Sequence, residues 1–167
     1  MTTVTLNGDP MTTNGTPPKP GDIAPEFELT DGDLQTVRLS DYANRKIILN
    51  IVPSLDTPTC AASARRFNEA FENRSDAVVL VVSADLPFAQ GRFCSTEGLE
   101  NVVPLSMMKD RQFAKDYGVL LVDGPLAGLA ARAVLIIDEA GTVMYTQLVE
   151  EIADEPDYAA VLDALNG

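Results

Sequence analysis

The fold of this chain is decided by residues 47–60, which read IILNIVPSLDTPTC. The first six residues, Ile47–Val52, are apolar except for Asn50, a pattern typical of a strand that is buried on both faces. The segment that follows predicts a helix over Pro58–Arg74, with proline at its first position. A buried strand that leads directly into a helix places Cys60 in the first helical turn.

The rest of the chain alternates between strand and helix patterns, with no internal repeat. Asp85 is a candidate cap for a second helix, and Ser95–Gly98 is predicted to be a loop after that helix. The order of elements predicts an α/β protein in which helices flank a central mixed β-sheet, and it matches a thioredoxin-like fold. Strands are predicted over Thr36–Leu39, Ala77–Val82, Arg132–Asp138 and Thr142–Val149, and helices over Leu86–Cys94, Arg111–Tyr117 and Asp157–Leu165.

The N-terminal residues form a separate pattern ahead of this core. Thr3–Leu6 and Met11–Thr13 are β-prone and flank the turn cluster NGDP, which predicts a β-hairpin. Residues 14–21 are rich in proline, glycine and threonine and are predicted to be coil. The chain length fits one domain, so we predict a single thioredoxin-like domain over residues 1–167, with a hairpin and spacer extension over residues 1–21.

The composition excludes several classes of function. The chain has 12 Lys and Arg against 25 Asp and Glu, a formal net charge of −13, so nucleic acid and anionic membranes are poor partners. It contains no histidine, which excludes a Ser-His-Asp triad, a Cys-His dyad and a histidine-ligated metal site. Neither an export signal nor an apolar run of roughly 20 residues is present, so we expect a cytoplasmic protein. Its two cysteines are then either inert buried thiols or redox-active ones.

Cys60 can be interpreted in two ways from its predicted helix. One helical face carries Cys60, Ala64, Phe67 and Phe71, which favours a thiol that only packs in the core. The first turn also favours a thiolate, because unpaired N–H groups and the helix dipole point at it. A helix end contributes only about 0.3–1 kcal/mol, and at most about 2, to a charged group beside it. A reactive thiolate therefore needs a source of positive charge besides the helix end, and without histidine that source must be Arg or Lys.

Four blocks of the sequence are similar to blocks of one known family. The motif Pro53-x3-Thr57-x2-Cys60 resembles the active-site signature of the peroxiredoxins. The longer blocks resemble the thiol peroxidase branch, the atypical two-cysteine peroxiredoxins, and they read PSLDTPTCAAS (53–63), SADLPFAQGRFC (83–94), DGPLAGLAARA (123–133) and EPDY (155–158). Their order and spacing extend the resemblance over nearly the whole chain.

The resemblance implies roles for five residues. Cys60 is the expected peroxidatic cysteine, whose thiolate attacks a hydroperoxide and becomes a sulfenic acid. Thr57 is expected to aim its hydroxyl at the sulfur and at the bound peroxide, and Pro53 to shield the sulfur from water. Arg132 is expected beside the sulfur, as the cation that the helix end lacks. Cys94 is the expected resolving cysteine, which forms a disulfide with Cys60 within one subunit.

Simpler interpretations remain open for the same residues. Arg132 can be a solvated charge at the end of an apolar strand. Cys94 can be a half-buried spare thiol. Thr57, or its neighbour Asp56, can be a plain helix cap, and Pro53 can simply end the strand.

The resemblance also implies partners. It predicts hydrogen peroxide and organic hydroperoxides as substrates, thioredoxin as the reductant, and a homodimer. No cofactor or metal is expected, because the sequence has neither a glycine-rich phosphate loop nor a cluster of metal ligands. Two other functions compete with a peroxidase: a dithiol–disulfide oxidoreductase or holdase, and a non-catalytic binding module. The oxidoreductase needs Cys-x-x-Cys, whereas Thr57 stands at the earlier position.

Overall fold

A seven-stranded mixed β-sheet lies at the centre of the computed structural model, which describes residues 1–166. The strands are β1 (Thr3–Leu6), β2 (Asp9–Thr12), β3 (Glu28–Thr30), β4 (Thr36–Arg38), β5 (Lys46–Ile51), β6 (Ala77–Ser83), β7 (Val102–Ser106), β8 (Ala133–Ile137) and β9 (Val143–Leu148). The helices are α1 (Pro58–Ala70), α2 (Pro87–Glu97), α3 (Gln112–Asp116) and α4 (Tyr158–Asn166), with a 3₁₀ turn at Leu39–Tyr42.

The strand order across the central sheet is β4-β3-β7-β6-β5-β8-β9. The three middle strands are parallel, whereas β8 on one side and β3 on the other join them antiparallel. β5 has a neighbour on each side, which agrees with its nearly continuous apolar sequence. The predicted mixed sheet with flanking helices is confirmed, as is a separate hairpin formed by β1 and β2.

The core beneath α1 contains the helical face that the sequence predicted. Cys60, Ala64, Phe67 and Phe71 all lie in this core, and Cys60 is 0% exposed. Alternate residues of β5 face this core and a second one on the opposite side of the sheet, because successive side chains of a strand point to opposite faces.

The N-terminal hairpin has a tighter turn than the sequence suggested. Asn7 and Gly8 form the turn with φ values of 52° and 88°, and Leu6 pairs with Asp9. A two-residue hairpin turn of this type needs positive φ at both positions, which Asn-Gly adopts readily. Asp9 and Pro10 therefore belong to β2 and not to the turn.

Two strands were missed by the sequence patterns. β3 has three residues, too short for a periodic signal. β7 carries Pro104 at its centre, and proline inside a run argues against a strand because it cannot donate to the ladder. In the structure β3 meets β7 only through Thr30 and Ser106, so Pro104 lies along a nearly open side of β7 where the missing donor is tolerated.

The ends of two helices also differ from the predictions. α1 ends at Ala70 and not at Arg74. α2 continues through the predicted loop to Glu97, and Gly98 ends it in the left-handed conformation with φ 67°. Ser and Thr near a glycine resemble a loop locally, but the amide of Leu99 donates to the Cys94 carbonyl (2.9 Å) and closes the helix. No helix among residues 1–166 is long and apolar enough to cross a membrane.

Candidate active site

Cys60 lies in the first turn of α1, as the third residue of the helix. Thr57 occupies the N-cap position in an extended conformation. Its hydroxyl donates to the carbonyl of Ser54 (3.0 Å) and does not bond the helix amides. Thr57 is thus the N-cap residue of α1, as the sequence allowed, but its side chain makes no capping hydrogen bond. The first amides of α1 are left without a side-chain acceptor, in the arrangement that suits an anion.

The sheet register brings Pro53 and Arg132 to the same edge. Ile51 pairs with Ala133 in the antiparallel β5–β8 ladder, so Val52 and Arg132 come next at the same level. Pro53 follows Val52 and is buried. The strand that leads to Cys60 thus ends beside the arginine that precedes β8.

Arg132 is a buried charge. It is 2% exposed, and its Nε donates to the carbonyl of Ile152 (2.9 Å). Its Nη1 is buried and has no hydrogen-bond partner within the described part of the chain. The interpretation of Arg132 as a solvated strand end is therefore wrong. A buried guanidinium N–H without an acceptor is costly, and it favours a site built to receive one.

The loop between β9 and α4 joins Arg132 to the turn that carries Cys60. The carbonyl of Ile152 accepts from Arg132, and the carbonyl of the next residue, Ala153, accepts from the hydroxyl of Thr59 (2.8 Å). Consecutive residues are about 3.8 Å apart along the chain. Arg132 and the residue before Cys60 are therefore anchored to neighbouring peptide groups.

The two arginines of α1 lie elsewhere. Arg65 and Arg66 are both exposed. Arg65 pairs with Glu97 of α2 (3.2 Å), and the guanidinium of Arg66 lies 4.9 Å from the centre of the Tyr158 ring. Arg132 is accordingly the buried arginine of the described residues, and its acceptor Ile152 is adjacent to Ala153, the acceptor of Thr59.

Asp85 fixes the loop before α1, a role that the sequence did not indicate. Its carboxylate accepts from the hydroxyls of Ser54 and Ser83 and from the amide of Leu55, each at 2.7 Å. The N-cap of α2 is Leu86, so the prediction of Asp85 as that cap is wrong. Asp85 is the second residue after the buried strand β6, at the edge where parallel strands end.

Asn50 was visible in the sequence as the one polar residue of its apolar run. Its side-chain amide donates to Ser63 (3.3 Å), whose hydroxyl donates to the carbonyl of Cys60 (3.0 Å). All three residues are buried. Asn50 therefore ties β5 to the backbone of Cys60 through Ser63.

Cys94 is half-buried within α2, and both cysteines are free thiols. Burial raises the pKa of the Cys94 thiol above its ordinary value. Cys94 and Phe93 pack against the same apolar core as Cys60. A cleft of about 480 Å³ lies on the neighbouring face of α2, between Phe93 and the loop that contains Leu55 and Asp56.

Comparison with known proteins identifies the family. A sequence model of the family described as Redoxin matches residues 19–162. The chain belongs to the redoxin family. It is 51% identical over 165 residues to proteins named thiol peroxidase from Mycobacterium tuberculosis and Mycobacterium bovis, covering 99% of this chain and 99% of each relative. This redoxin is thus similar to the thiol peroxidases, as its four sequence blocks predicted.

Solved structures confirm the thioredoxin-like fold of this redoxin. A peroxiredoxin-like protein from Aquifex aeolicus superposes with a TM-score of 0.93 at 43% identity. A thiol peroxidase from Chromobacterium violaceum superposes with a TM-score of 0.91 at 25% identity. Each match covers 98% of this chain and 95% of the other.

Proposed function

We propose that this redoxin is a thiol-specific peroxidase that reduces hydrogen peroxide and organic hydroperoxides. The observation that carries the proposal is the pairing of a buried cysteine in an uncapped helical turn with a buried arginine whose Nη1 has no partner in residues 1–166. The uncapped amides and the guanidinium are the two sources of positive potential that a thiolate needs. The relatives named thiol peroxidase support the same activity.

The proposed first step oxidises Cys60 by two electrons. Its thiolate attacks the terminal oxygen of the hydroperoxide, so that an S–O bond forms as the O–O bond breaks. The departing oxygen takes a proton and leaves as an alcohol, or as water when hydrogen peroxide is the substrate. Cys60 is left as a sulfenic acid. The electron pair of the broken bond moves to the leaving oxygen, where negative charge develops.

Three neighbours have proposed roles in that step. The free Nη1 of Arg132 donates to the oxygen on which charge develops. Thr57 turns its hydroxyl from the Ser54 carbonyl toward the sulfur and the peroxide, which requires rotation about one side-chain bond. Pro53 presents a buried ring without an N–H and excludes water from the sulfur.

The proposed second step forms a disulfide within the chain. The Cys94 thiol attacks the sulfenic sulfur of Cys60, which releases water. Both thiols start inside intact helices, so we propose that the part of α2 after Gly91 unwinds to bring them together. Thioredoxin, a dithiol, then reduces the disulfide by two exchange reactions and becomes oxidised itself.

The proposed function goes with a particular domain organisation, assembly and location. We propose one domain over residues 1–167, with residues 1–21 as its extension, a homodimeric assembly and no bound cofactor. The net charge of −13 supports a protein that binds neither nucleic acid nor membranes. The need for a thioredoxin-type reductant supports a cytoplasmic location.

The test of this function is hydroperoxide consumption with dithiothreitol as the reductant, followed by intact mass with and without hydroperoxide. A peroxidase consumes the substrate, and its mass falls by two hydrogens as both free thiols disappear. A binding module or a dithiol oxidoreductase consumes none. A disulfide between two chains, instead of within one, would contradict the proposed second step.

Cys94→Ser is expected to permit one turnover and then to stall with thioredoxin as the reductant. Without the resolving thiol, Cys60 stays a sulfenic acid and drifts to the sulfinic acid. Rapid-quench measurement of hydroperoxide consumed per chain, with mass spectrometry of Cys60, checks both steps. Sustained turnover at the wild-type rate would show that Cys94 is not the resolving residue.

Gly91→Ala is expected to slow disulfide formation by about two- to fivefold, because alanine in a helix interior is more stable than glycine by roughly 0.5–1 kcal/mol. Gly91 is exposed, and an added Cβ meets no atom within 4 Å, so the change stabilises α2 without a clash. The rate of sulfenic acid formation, measured in the same stopped-flow trace, serves as the control and stays unchanged. An unchanged rate of disulfide formation would mean that α2 does not unwind at this point.

A further inference from the structure

We propose that the N-terminal hairpin, β1 and β2, positions Arg132 in the candidate active site, and that Glu151 is the residue through which it acts. The inference rests on the proposed function of Arg132. Glu151 is a positioning residue in this account, because it touches the hairpin and the loop but not the reacting atoms.

The first contact is between backbones. The amide of Thr5 donates to the carbonyl of Glu150 (2.7 Å), and the amide of Ile152 donates to the carbonyl of Thr5 (2.8 Å). The loop thus pairs with β1 through a single parallel β-bridge between Thr5 and Glu151. Ile152 is therefore held by both of its backbone groups. Its amide donates to the hairpin, and its carbonyl accepts from Arg132.

The second contact is the Glu151 carboxylate. Its Oε1 accepts from the hydroxyl of Thr5 (3.0 Å) and from the amide of Gly8 in the hairpin turn (2.8 Å). Its Oε2 accepts from the amide of Ala153 (2.9 Å). These donors hold the pKa of Glu151 at about 2, below its ordinary value, so the carboxylate stays charged at neutral pH. One side chain therefore links the turn of the hairpin to the residue whose carbonyl holds Thr59.

The third contact is apolar. Val4 and Met11 of the hairpin pack with Leu121, Ala131 and Ile152 in a small buried core of their own. Ala131 directly precedes Arg132, and Ile152 supplies its hydrogen-bond acceptor. The hairpin therefore supports both ends of the Arg132–Ile152 contact.

These three contacts affect the direction in which the Nη1 of Arg132 points. Within residues 1–166, the Nε bond to Ile152 is the one hydrogen bond of the Arg132 guanidinium, so this bond sets the plane of the group. A shift of the loop turns the plane and moves Nη1 out of the position proposed for it beside the sulfur. Misplacement of a catalytic group by about 1 Å can reduce a rate by up to about a hundredfold.

The test compares Glu151→Ala with Asp138→Ala in the Cys94→Ser background, where Cys60 is the one remaining cysteine. Asp138 is a matched control, because its carboxylate also accepts from backbone amides, those of Ala140 and Thr142 (2.9 Å each). It follows β8 at the end opposite Arg132, about 20 Å away along the strand. The readouts are the rate of sulfenic acid formation and the pH at which the ultraviolet absorbance of the Cys60 thiolate appears.

Glu151→Ala is expected to slow sulfenic acid formation by about tenfold and to move the thiolate transition to higher pH. Asp138→Ala should leave both readouts within about twofold of the parent, although it removes as many amide contacts. Equal losses in the two variants, or none in Glu151→Ala, would overturn the proposal. Thr5→Val retains the Glu151 carboxylate and removes one of its donors, so it should give a smaller loss of rate in the same direction. If Glu151→Ala does not fold, Thr5→Val tests the role of Glu151 in its place.

A double substitution separates this inference from the function it rests on. If the hairpin acts through Arg132, Glu151→Ala should have no further effect on the thiolate transition once Arg132→Met is present. Additive effects would show that Glu151 acts by another route and would overturn the proposal. Absence of hydroperoxide turnover in the wild type would overturn the proposed function instead. The thiolate absorbance needs no turnover and still decides the role of the hairpin.

Discussion

Cys60→Ser is expected to abolish hydroperoxide reduction while the protein remains folded. The reaction depends on one sulfur nucleophile, and a serine hydroxyl does not ionise in the working range of pH. Cys94 is a poorer nucleophile, because burial within α2 raises the pKa of its thiol above the ordinary value and disfavours the thiolate. Residual turnover above a few per cent of wild type would move the nucleophile elsewhere.

The stability of the Cys60→Ser variant is part of the same experiment. The side chain is fully buried in an apolar core, so a serine hydroxyl there costs roughly 1–3 kcal/mol unless it finds an acceptor. Thermal unfolding monitored by circular dichroism should therefore show a lower but cooperative transition. Cys94→Ser is the matched control, since it makes the same chemical change at the other cysteine and should retain the first turnover.

Arg132→Met is expected to slow sulfenic acid formation by about a hundredfold, the usual effect of removing one donor from a developing oxyanion. Methionine is a flexible apolar residue that fills space, so the substitution removes the charge and the Nη1 donor with little loss of volume. The thiolate of Cys60 should also appear at higher pH, because the variant lacks the guanidinium that is proposed to lie beside the sulfur and to favour its charged form.

Arg65→Met provides the control for charge alone. Arg65 lies on the same helix as Cys60 but is exposed and paired with Glu97, so its removal should change the rate by about twofold or less. Stopped-flow measurement in the Cys94→Ser background compares the two variants without interference from the reductant. Equal losses would mean that general positive potential, and not the buried guanidinium, activates the sulfur.

Local sequence patterns were sufficient to place several of the elements. The Asn7-Gly8 turn, the apolar run of β5 and the buried face of α1 each follow from short-range conformational preferences. β7 was missed because Pro104 is unfavourable in an ordinary strand. β7 is a strand because it pairs with β6, and its nearly unpaired side toward β3 tolerates Pro104; no property of residues 102–106 reveals either neighbour.

Some residues of the candidate site could also be found from the sequence, whereas the contacts between them could not. Cys60 and Thr57 could be found from a motif of eight residues, and Arg132 and Cys94 from the longer resemblance. The acceptor of Arg132 lies 20 residues away, and the hydroxyl that binds Glu151 lies 146 residues away. Such pairs leave no periodic or motif signal, because the partners are far apart in the sequence and neither residue's own neighbourhood points to the other.

By itself the sequence determined the class of fold, the position of Cys60 at the start of a helix, and a chemistry that works without histidine. Those properties follow from hydrophobic period, cap residues and composition, which are local or additive along the chain. The tertiary structure alone decided that Arg132 is buried with an Nη1 that has no hydrogen-bond partner within residues 1–166, and that the loop holding it is bound to the hairpin. The physical reason is that a hydrogen bond or a buried charge depends on which distant segments meet at one edge of the sheet, and that meeting is a property of the whole packed chain.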